Sequence, residues 1–249
     1  MPSDAVGAPA HSGPAPAQPA PPSPHAGPPP AALAELARRV ADAVVPGRRY
    51  LLGIAGSPGS GKTTLAQALV EAMNADAPGT AVHLPMDGFH LANATLDRLD
   101  LRDRKGAIET FDGWGFLALL DRVRGERDHT VYAPSFRRVV DEGVAGEIAI
   151  DPDAVVVVVE GNYLLADVDP WTGVRDRLDA AWFCATSAEE REARLVDRHT
   201  RHGRSVEAAT AWARDVDGAN AVLIEASRSR ADLVVSGVTG QPLPTAPSA

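Results

Sequence analysis

The sequence predicts an α/β fold: a three-layer α/β/α sandwich with helices on both faces of a five-stranded, mainly parallel sheet. Three observations predict it. From residue 31 to residue 238, apolar segments of strand length alternate with segments of helical periodicity, the order that builds a parallel sheet with crossover helices. Ala154 to Val159 is almost pure valine, and a strand apolar on both faces belongs at the centre of a covered sheet. Between the first strand and the next helix stands a glycine-rich turn, from Gly56 to Thr63, with the spacing G-x-x-x-x-G-K-T.

Met1 to Pro30 is dominated by Pro, Ala, Gly and Ser and cannot bury enough surface to offset its ordering entropy, so a disordered tail is expected there. A proline motif for a partner is the alternative reading. Ala31 to Val45 carries Leu33, Leu36, Ala37 and Val40 at helical spacing, and Pro46 and Gly47 end it. Tyr50 to Ala55 is the first strand and Lys62 to Ala75 the helix after the glycine-rich turn. Ala81 to Met86 is the second strand, ending in Asp87-Gly88-Phe89-His90. A short helix from Asn93 to Leu101 leads into a charged loop, Arg102 to Asp112. Gly113 to Arg124 is a helix with Phe116, Leu117, Leu120 and Val123 on one face. Thr130 to Tyr132 and Glu147 to Ile150 are short β segments of a side hairpin. After the valine strand come a fourth strand, Ala180 to Cys184, and helices from Ala188 to Arg201 and from Ser205 to about Arg228. Leu233 to Val235 is the last strand, and residues 239–249 are expected to form a second tail. The domain is thus expected over residues 31–238.

The length suits one sizeable domain. A net charge of −9 excludes a general nucleic-acid binder, which needs clustered Lys and Arg. The single cysteine, Cys184, excludes an internal disulfide and reads as a buried strand residue. No apolar run approaches the roughly 18 residues of a membrane span, and no secretory signal is recognised, so a cytoplasmic location without membrane or nucleic-acid partners is expected. A homodimer is left open.

The glycine-rich turn carries the first chemistry. Gly56, Gly59 and Gly61 free the backbone so that successive N–H groups point at phosphate oxygens, and the following helix adds the positive end of its dipole. Gly56, Ser57, Pro58, Gly59, Ser60, Gly61, Lys62, Thr63 and Thr64 are therefore the expected nucleotide-binding residues. Lys62 should reach the β- and γ-phosphates of ATP, and the Thr63 hydroxyl should sit on Mg²⁺.

Ligands of parallel sheets bind outside the carboxyl ends of the strands, which selects the next candidates. Asp87 ends the second strand, where a carboxylate could accept the proton of a substrate hydroxyl; a turn or cap aspartate is the alternative. His90 could hydrogen-bond the same substrate, and Phe89 could stack on it or belong to the core. Glu160 leaves the central strand and is placed toward Mg²⁺. Arg191, Arg194, Arg198 and Arg201 fall within about an 80° arc of one helix. Such a face reads as a lid, residues 188–204, that neutralises transferred charge, or as a solvated face paired internally through Glu190 and Arg194. Asn220 could meet the nucleotide base or cap a neighbouring loop. The charged loop with Arg102, Arg104 and Lys105 could grip a substrate above Asp87 or simply be solvated.

With these pieces placed, the chain resembles the phosphoribulokinase, uridine kinase and pantothenate kinase family of phosphate-loop kinases. GIAGSPGSGKTT, LPMDGFHLAN, RKGAIETFD, VVEGNYLL, RLVDRHTRHG and the pair Ala219-Asn220 carry the resemblance, from about Ala31 to about Val235. It implies a nucleoside-kinase-like P-loop NTPase fold, Asp87 as catalytic base, Glu160 as a Mg²⁺ holder, and Arg194 and Arg198 as lid residues. MDGFH with the KG-containing loop looks closer to pantothenate kinase and to bacterial sugar-transport-associated kinases than to uridine kinase. Ile108 departs from a frequent proline, and Arg137 in YAPSFRR departs from a frequent aspartate, so the acceptor is where this chain differs. The expected activity is transfer of the γ-phosphoryl group of ATP to a hydroxyl of a small polar metabolite, a sugar, a nucleoside or a pantothenate-like compound. Lys62, Arg194 and Arg198 assist Asp87, while Phe89, His90, Arg104, Lys105 and Phe136 hold the acceptor. An ATP-binding regulatory protein or a plain NTP hydrolase are the rival readings.

Overall fold

The computed structural model describes residues 27–75, 77–201 and 203–244. The expected N-terminal tail up to residue 26, His202 of the expected lid, and residues 245–249 lie outside the described residues.

The elements in chain order are α1 (Pro30–Ala43), β1 (Tyr50–Ala55), α2 (Lys62–Asn74), β2 (Ala81–Pro85), α3 (Asn93–Arg98), α4 (Gly113–Gly125), β3 (Val131–Arg137), β4 (Glu142–Ile150), β5 (Val156–Gly161), α5 (Thr172–Asp176), β6 (Ala180–Ala185), α6 (Ala188–Arg201), α7 (Val206–Trp212), α8 (Gly218–Ala226), β7 (Leu233–Ser236) and β8 (Pro242–Leu243). The main sheet has the order β2-β5-β1-β6-β7-β8. Its first five strands are parallel and match the expected sheet, and β8 adds an antiparallel sixth. β8 falls inside the tail expected from residue 239, because a two-residue strand containing proline has no periodicity to read.

The valine strand sits where its composition places it, between β1 and β2. Val157 and Val159 join Leu51, Phe116 and Phe183 on one face of the sheet, while Val156 and Val158 join Leu52, Ile54, Leu65 and Leu69 on the other. Alternate residues thus feed two cores, one under α4 and one under α1 and α2. Each fully buried valine contributes about 1.5 kcal/mol or more. Helix α4 starts where Asp112 caps it, its carboxylate accepting from the Gly115 N–H at 2.8 Å.

The helix expected from Ser205 to about Arg228 is interrupted. Between α7 and α8 lies a five-residue π-helical turn, Ala213–Asp217. Such insertions re-aim side chains, and here the turn ends on the buried Asp217. The side hairpin is longer than expected: β3 and β4 pair over their lengths, with a register shift between Ala133 and Ser135 around Pro134, which has no N–H to donate.

Arg49 is 1% exposed. Its guanidinium donates to the carbonyls of Ala154 at 3.0 Å, Val123 at 2.6 Å and Asp151 at 2.7 Å, pinning the end of α4 to the start of β5. Burial pushes this guanidinium below the usual arginine range. Arg49→Lys keeps the charge but loses the planar fork, and stability should fall by about 2 kcal/mol in chemical denaturation.

Candidate active site

The register of three adjacent strands assembles the site. Pro85 of β2 and Ile54 of β1 both lie beside Glu160 of β5, so the three strands reach their carboxyl ends together. The glycine-rich turn follows β1, and Asp87 follows β2 in a 3-10 turn, Met86–Phe89. One cavity of about 530 Å³ opens there, lined among others by Pro58, Lys62, Thr63, Asp87, His90 and Arg198.

The glycine-rich turn has the backbone its sequence demands. Gly59 has φ 77° and Gly61 has φ 94°, in the left-handed region where a Cβ is strained. A Cβ on Gly59 would also stand 2.8 Å from the Arg191 carbonyl, and one on Gly61 2.7 Å from the Gly237 carbonyl. The turn is therefore packed between α6 and the segment after β7. Ser57 Oγ donates to Glu225 Oε1 of α8 at 2.6 Å. Behind the turn, Cys184 approaches the Ser60 carbonyl at 3.4 Å, and burial pushes its thiol up to about 11. Thr64 lies on the first turn of α2 against Gly27, outside the cavity lining.

Lys62 Nζ stands 3.7 Å from Glu160 Oε1, and His83 Nε2 stands 3.5 Å from Glu160 Oε2. Glu160 is 4% exposed. Burial by itself would raise this carboxyl, but His83, Lys62 and the Thr63 hydroxyl outweigh it and hold the group below the usual carboxylate range. His83 gave no signal in the sequence, because a histidine at the third position of a short strand has no distinctive spacing.

Fitness for a triphosphate can be judged from donors that lack partners. Ser60 Oγ, Arg191 Nε and Arg194 Nε are buried without a hydrogen bond among the described residues. All three lie where the turn meets α6, and buried polar groups in this state call for a ligand or water. Among the described residues no three His, Cys, Asp or Glu side chains cluster to hold a metal. Thr63 with Glu160 fits Mg²⁺ bound jointly with phosphates, since Mg²⁺ keeps waters and takes one or two carboxylates plus substrate oxygens.

The arginine face of α6 divides. Arg194 donates to Glu190 Oε1 at 2.7 Å and to the Gly59 carbonyl at 3.4 Å, so both the internal pair and the phosphate-loop contact are present. Arg198 lines the cavity within the field of Asp217, Arg138 and Asp87. Arg201 instead, the last residue of α6, is exposed and pairs with Asp197.

Beside Asp87 in the cavity, His90 is held between Phe111, with ring centroids 4.0 Å apart, and Phe136, at 4.7 Å. Its Nδ1 lies 2.7 Å from the Asp87 carbonyl, which can only accept, so Nδ1 carries the hydrogen and Nε2 presents a lone pair. Burial lowers its pKa, with Asp87 opposing, so the ring is neutral near pH 7. Lys105 and Phe136 line the cavity, and Lys105 lies over the Phe136 ring at 5.1 Å from the centroid. Asn220 also lines it and donates to the Gly106 carbonyl at 3.4 Å, the loop-capping contact.

Two expected acceptor residues lie elsewhere. Phe89 packs edge-on against Phe116 of α4, 5.1 Å between centroids, as part of the core. Arg104 is exposed and pairs with Glu109 at 2.6 Å, outside the cavity lining. Arg137, the departure noted in YAPSFRR, faces away and pairs with Glu147 across the hairpin, whereas its neighbour Arg138 lines the cavity. β3 ends at Arg137, and Arg138 opens the turn to β4, where the chain leaves the strand and the neighbouring arginine meets the cavity. The loop from Arg102 to Asp112 covers the cavity, tied down by Tyr163, whose hydroxyl donates to the Gly106 carbonyl at 2.7 Å. Asp217 and His199, 3.0 Å apart, and Trp212 complete the wall; His199 belongs to the expected lid stretch, whereas Asp217 and Trp212 carry no sequence expectation. Asp217 lies one turn before Asn220, a spacing that could have found it.

The pattern of the phosphoribulokinase and uridine kinase family matches residues 51–243. A protein of Schizosaccharomyces pombe described as a candidate uridine kinase is 34% identical over 174 residues, covering 68% of this chain and 74% of that protein. The Escherichia coli protein YggC is 33% identical over 193 residues, covering 77% and 79% of the two chains. Among solved structures, a Silicibacter protein described as a candidate fructose transport system kinase superposes with a TM-score of 0.75 at 40% identity, covering 81% of this chain and 98% of that one. Among the described residues no helix is long and apolar enough to cross a membrane. With fold, phosphate loop and relatives in agreement, the chain belongs to the phosphoribulokinase and uridine kinase family and is, in general terms, a small-molecule kinase.

Proposed function

We propose that the chain transfers the γ-phosphoryl group of ATP to a hydroxyl of a small polar metabolite, with Asp87 as the base. The observation that carries this reading is that Lys62, Thr63, Asp87 and Arg198 line one cavity. The loop amides and Lys62 hold the triphosphate, and Thr63 with Glu160 holds Mg²⁺. When bound, Mg²⁺ supplies neutralisation of the charge on the phosphoryl oxygens. Asp87 orients the acceptor hydroxyl and takes its proton, and His90 Nε2 accepts a hydrogen bond from a neighbouring hydroxyl. Arg194 and Arg198 stabilise the negative charge that spreads over the moving group. Helix α6, already against Gly59, acts as the lid that excludes water.

The test is ATP consumption by the purified chain with Mg²⁺ against sugars, nucleosides and pantothenate, with a no-acceptor control. Stimulation by one compound supports the kinase. Equal, slow consumption in every well favours a hydrolase or a regulatory ATP binder. Arg198→Ala should lower kcat by about 10²-fold while raising the acceptor KM less than threefold or so. An unchanged kcat in steady-state assays would reduce that face of α6 to a structural surface.

A further inference from the structure

The acceptor end of the cavity carries more positive charge than phosphoryl transfer requires. Lys62 and Arg198 serve the phosphate end, yet Arg102, Lys105 and Arg138 also line the wall. Lys105 is internally satisfied: its ammonium donates to Asn93 Oδ1 at 2.7 Å, to Asp141 Oδ2 at 2.8 Å and to the Asp141 carbonyl. That uses its three hydrogens and makes it a strut between the loop and the hairpin. Arg138 differs, because among the described residues it makes no ion pair. Arg102 gives only Nη1 to Asp97, at 3.3 Å.

The fold brings Arg138 to the lining of the same cavity as Asp87. The hairpin lies against the turn that bears Asp87: a Cβ on Gly143 would stand 2.6 Å from the Gly88 carbonyl, and one on Gly88 would run into the backbone of Pro134. Arg138 follows directly on β3, on the exposed turn that leads to β4, and reaches the cavity lining from there. The carboxylates in reach are already engaged: Asp141 with Lys105, Asp217 with His199 at 3.0 Å. Asp87 is reserved for the hydroxyl. Arg102 and Arg138 are exposed to the cavity, and Arg138 lies within the field of Arg198, so an anion bound among them would relieve like-charge repulsion.

We propose, resting on the kinase reading above, that the acceptor is an anionic hydroxy compound whose carboxylate or phosphate monoester is gripped by Arg138 with help from Arg102. A planar fork matches either anion through paired N–H bonds. In the reaction the acceptor oxygen forms a bond to the γ-phosphorus, the bond from that phosphorus to the β,γ-bridging oxygen breaks, ADP leaves, and the hydroxyl proton passes to Asp87. The gripped anion is unchanged. Uncharged sugars and nucleosides would leave Arg138 without an ion-pair partner and Arg102 with only its Asp97 contact.

The test uses matched pairs that differ in one charge: glycerate with glycerol, pantothenate with pantothenol, and fructose 6-phosphate with fructose. ADP release is measured on the full chain with Mg²⁺ and ATP. In at least one pair the anionic member should have a kcat/KM about 10²-fold above its neutral partner. The responding pair tells carboxylate from phosphate. In Arg138→Gln the KM for that acceptor should rise about tenfold, with kcat and the KM for ATP within about threefold. A neutral member turned over as well as its anionic partner would overturn the inference and leave the kinase reading standing. A second arm does not depend on turnover: inorganic phosphate is titrated calorimetrically into protein loaded with Mg²⁺ and a non-hydrolysable ATP analogue. Binding weakened about tenfold by Arg138→Gln supports the anion site. Equal binding in both proteins, or none, overturns it. Phosphate held through Arg138 with no acceptor consumed in any well would instead count against the kinase reading.

Discussion

Asp87→Asn should lower kcat by about 10³-fold while the Kd for ATP stays within about threefold. The amide keeps the size and planarity of the carboxylate but cannot take a proton. The turn itself should survive. Its hydrogen bonds to this residue run through the backbone, the carbonyl accepting from the His90 N–H at 3.2 Å and from His90 Nδ1 at 2.7 Å. Neither depends on the side chain. The phosphate loop lies on a different strand, so nucleotide binding is insulated from the change. The measurement pairs ADP release with a calorimetric titration of ATP. A variant that consumes ATP at the wild-type rate would show that Asp87 is not the base, and a hydrolase with a separately positioned water would become the better reading.

The parts of this site that were legible in the sequence are those whose chemistry dictates spacing. The glycines of the phosphate loop need left-handed backbone at Gly59 and Gly61, and no other residue type supplies it without strain. The valine run could only be a central strand, and that assignment alone located Glu160. The alternation of strand and helix then placed Asp87 at a carboxyl end. What stayed illegible depends on distance across the fold. Arg138 lies a single residue from Arg137, and the end of β3 between them sends one to Glu147 across the hairpin and the other, on the turn, to the cavity. Phe89 and His90 are neighbours with opposite fates, since the 3-10 turn sends the phenyl ring to Phe116 and the imidazole between Phe111 and Phe136. His83 matters because β2 pairs with β5 in the register His83↔Val158, which brings it to Glu160, 77 residues away in the chain. The π-helical turn that brings Asp217 toward the wall leaves no mark in an otherwise helical sequence.

Lys62→Met should act on catalysis and on stability, and pH should separate the two. Loss of the ammonium removes a preorganised charge from the moving phosphoryl group, and kcat should fall by about 10²- to 10³-fold. The same change leaves Glu160, 4% exposed, with His83 as its remaining basic neighbour. Breaking a buried pair by removing one partner costs about 3 kcal/mol at neutral pH. In the wild type Glu160 is held below the usual carboxylate range, so its contribution to stability is present above the unfolded pKa of about 4.3 and is lost as pH falls through the folded value. In the variant burial acts without Lys62 to oppose it, so the carboxyl rises and takes up a proton more readily in the folded state. The stability gap between the two proteins should therefore be widest near pH 7 and should narrow on acidification toward about pH 4.5. Urea denaturation at the two pH values reads it directly. A gap that is constant with pH would mean that Lys62 and Glu160 are not coupled in the folded chain, and the lost activity would then be assigned to Lys62 alone.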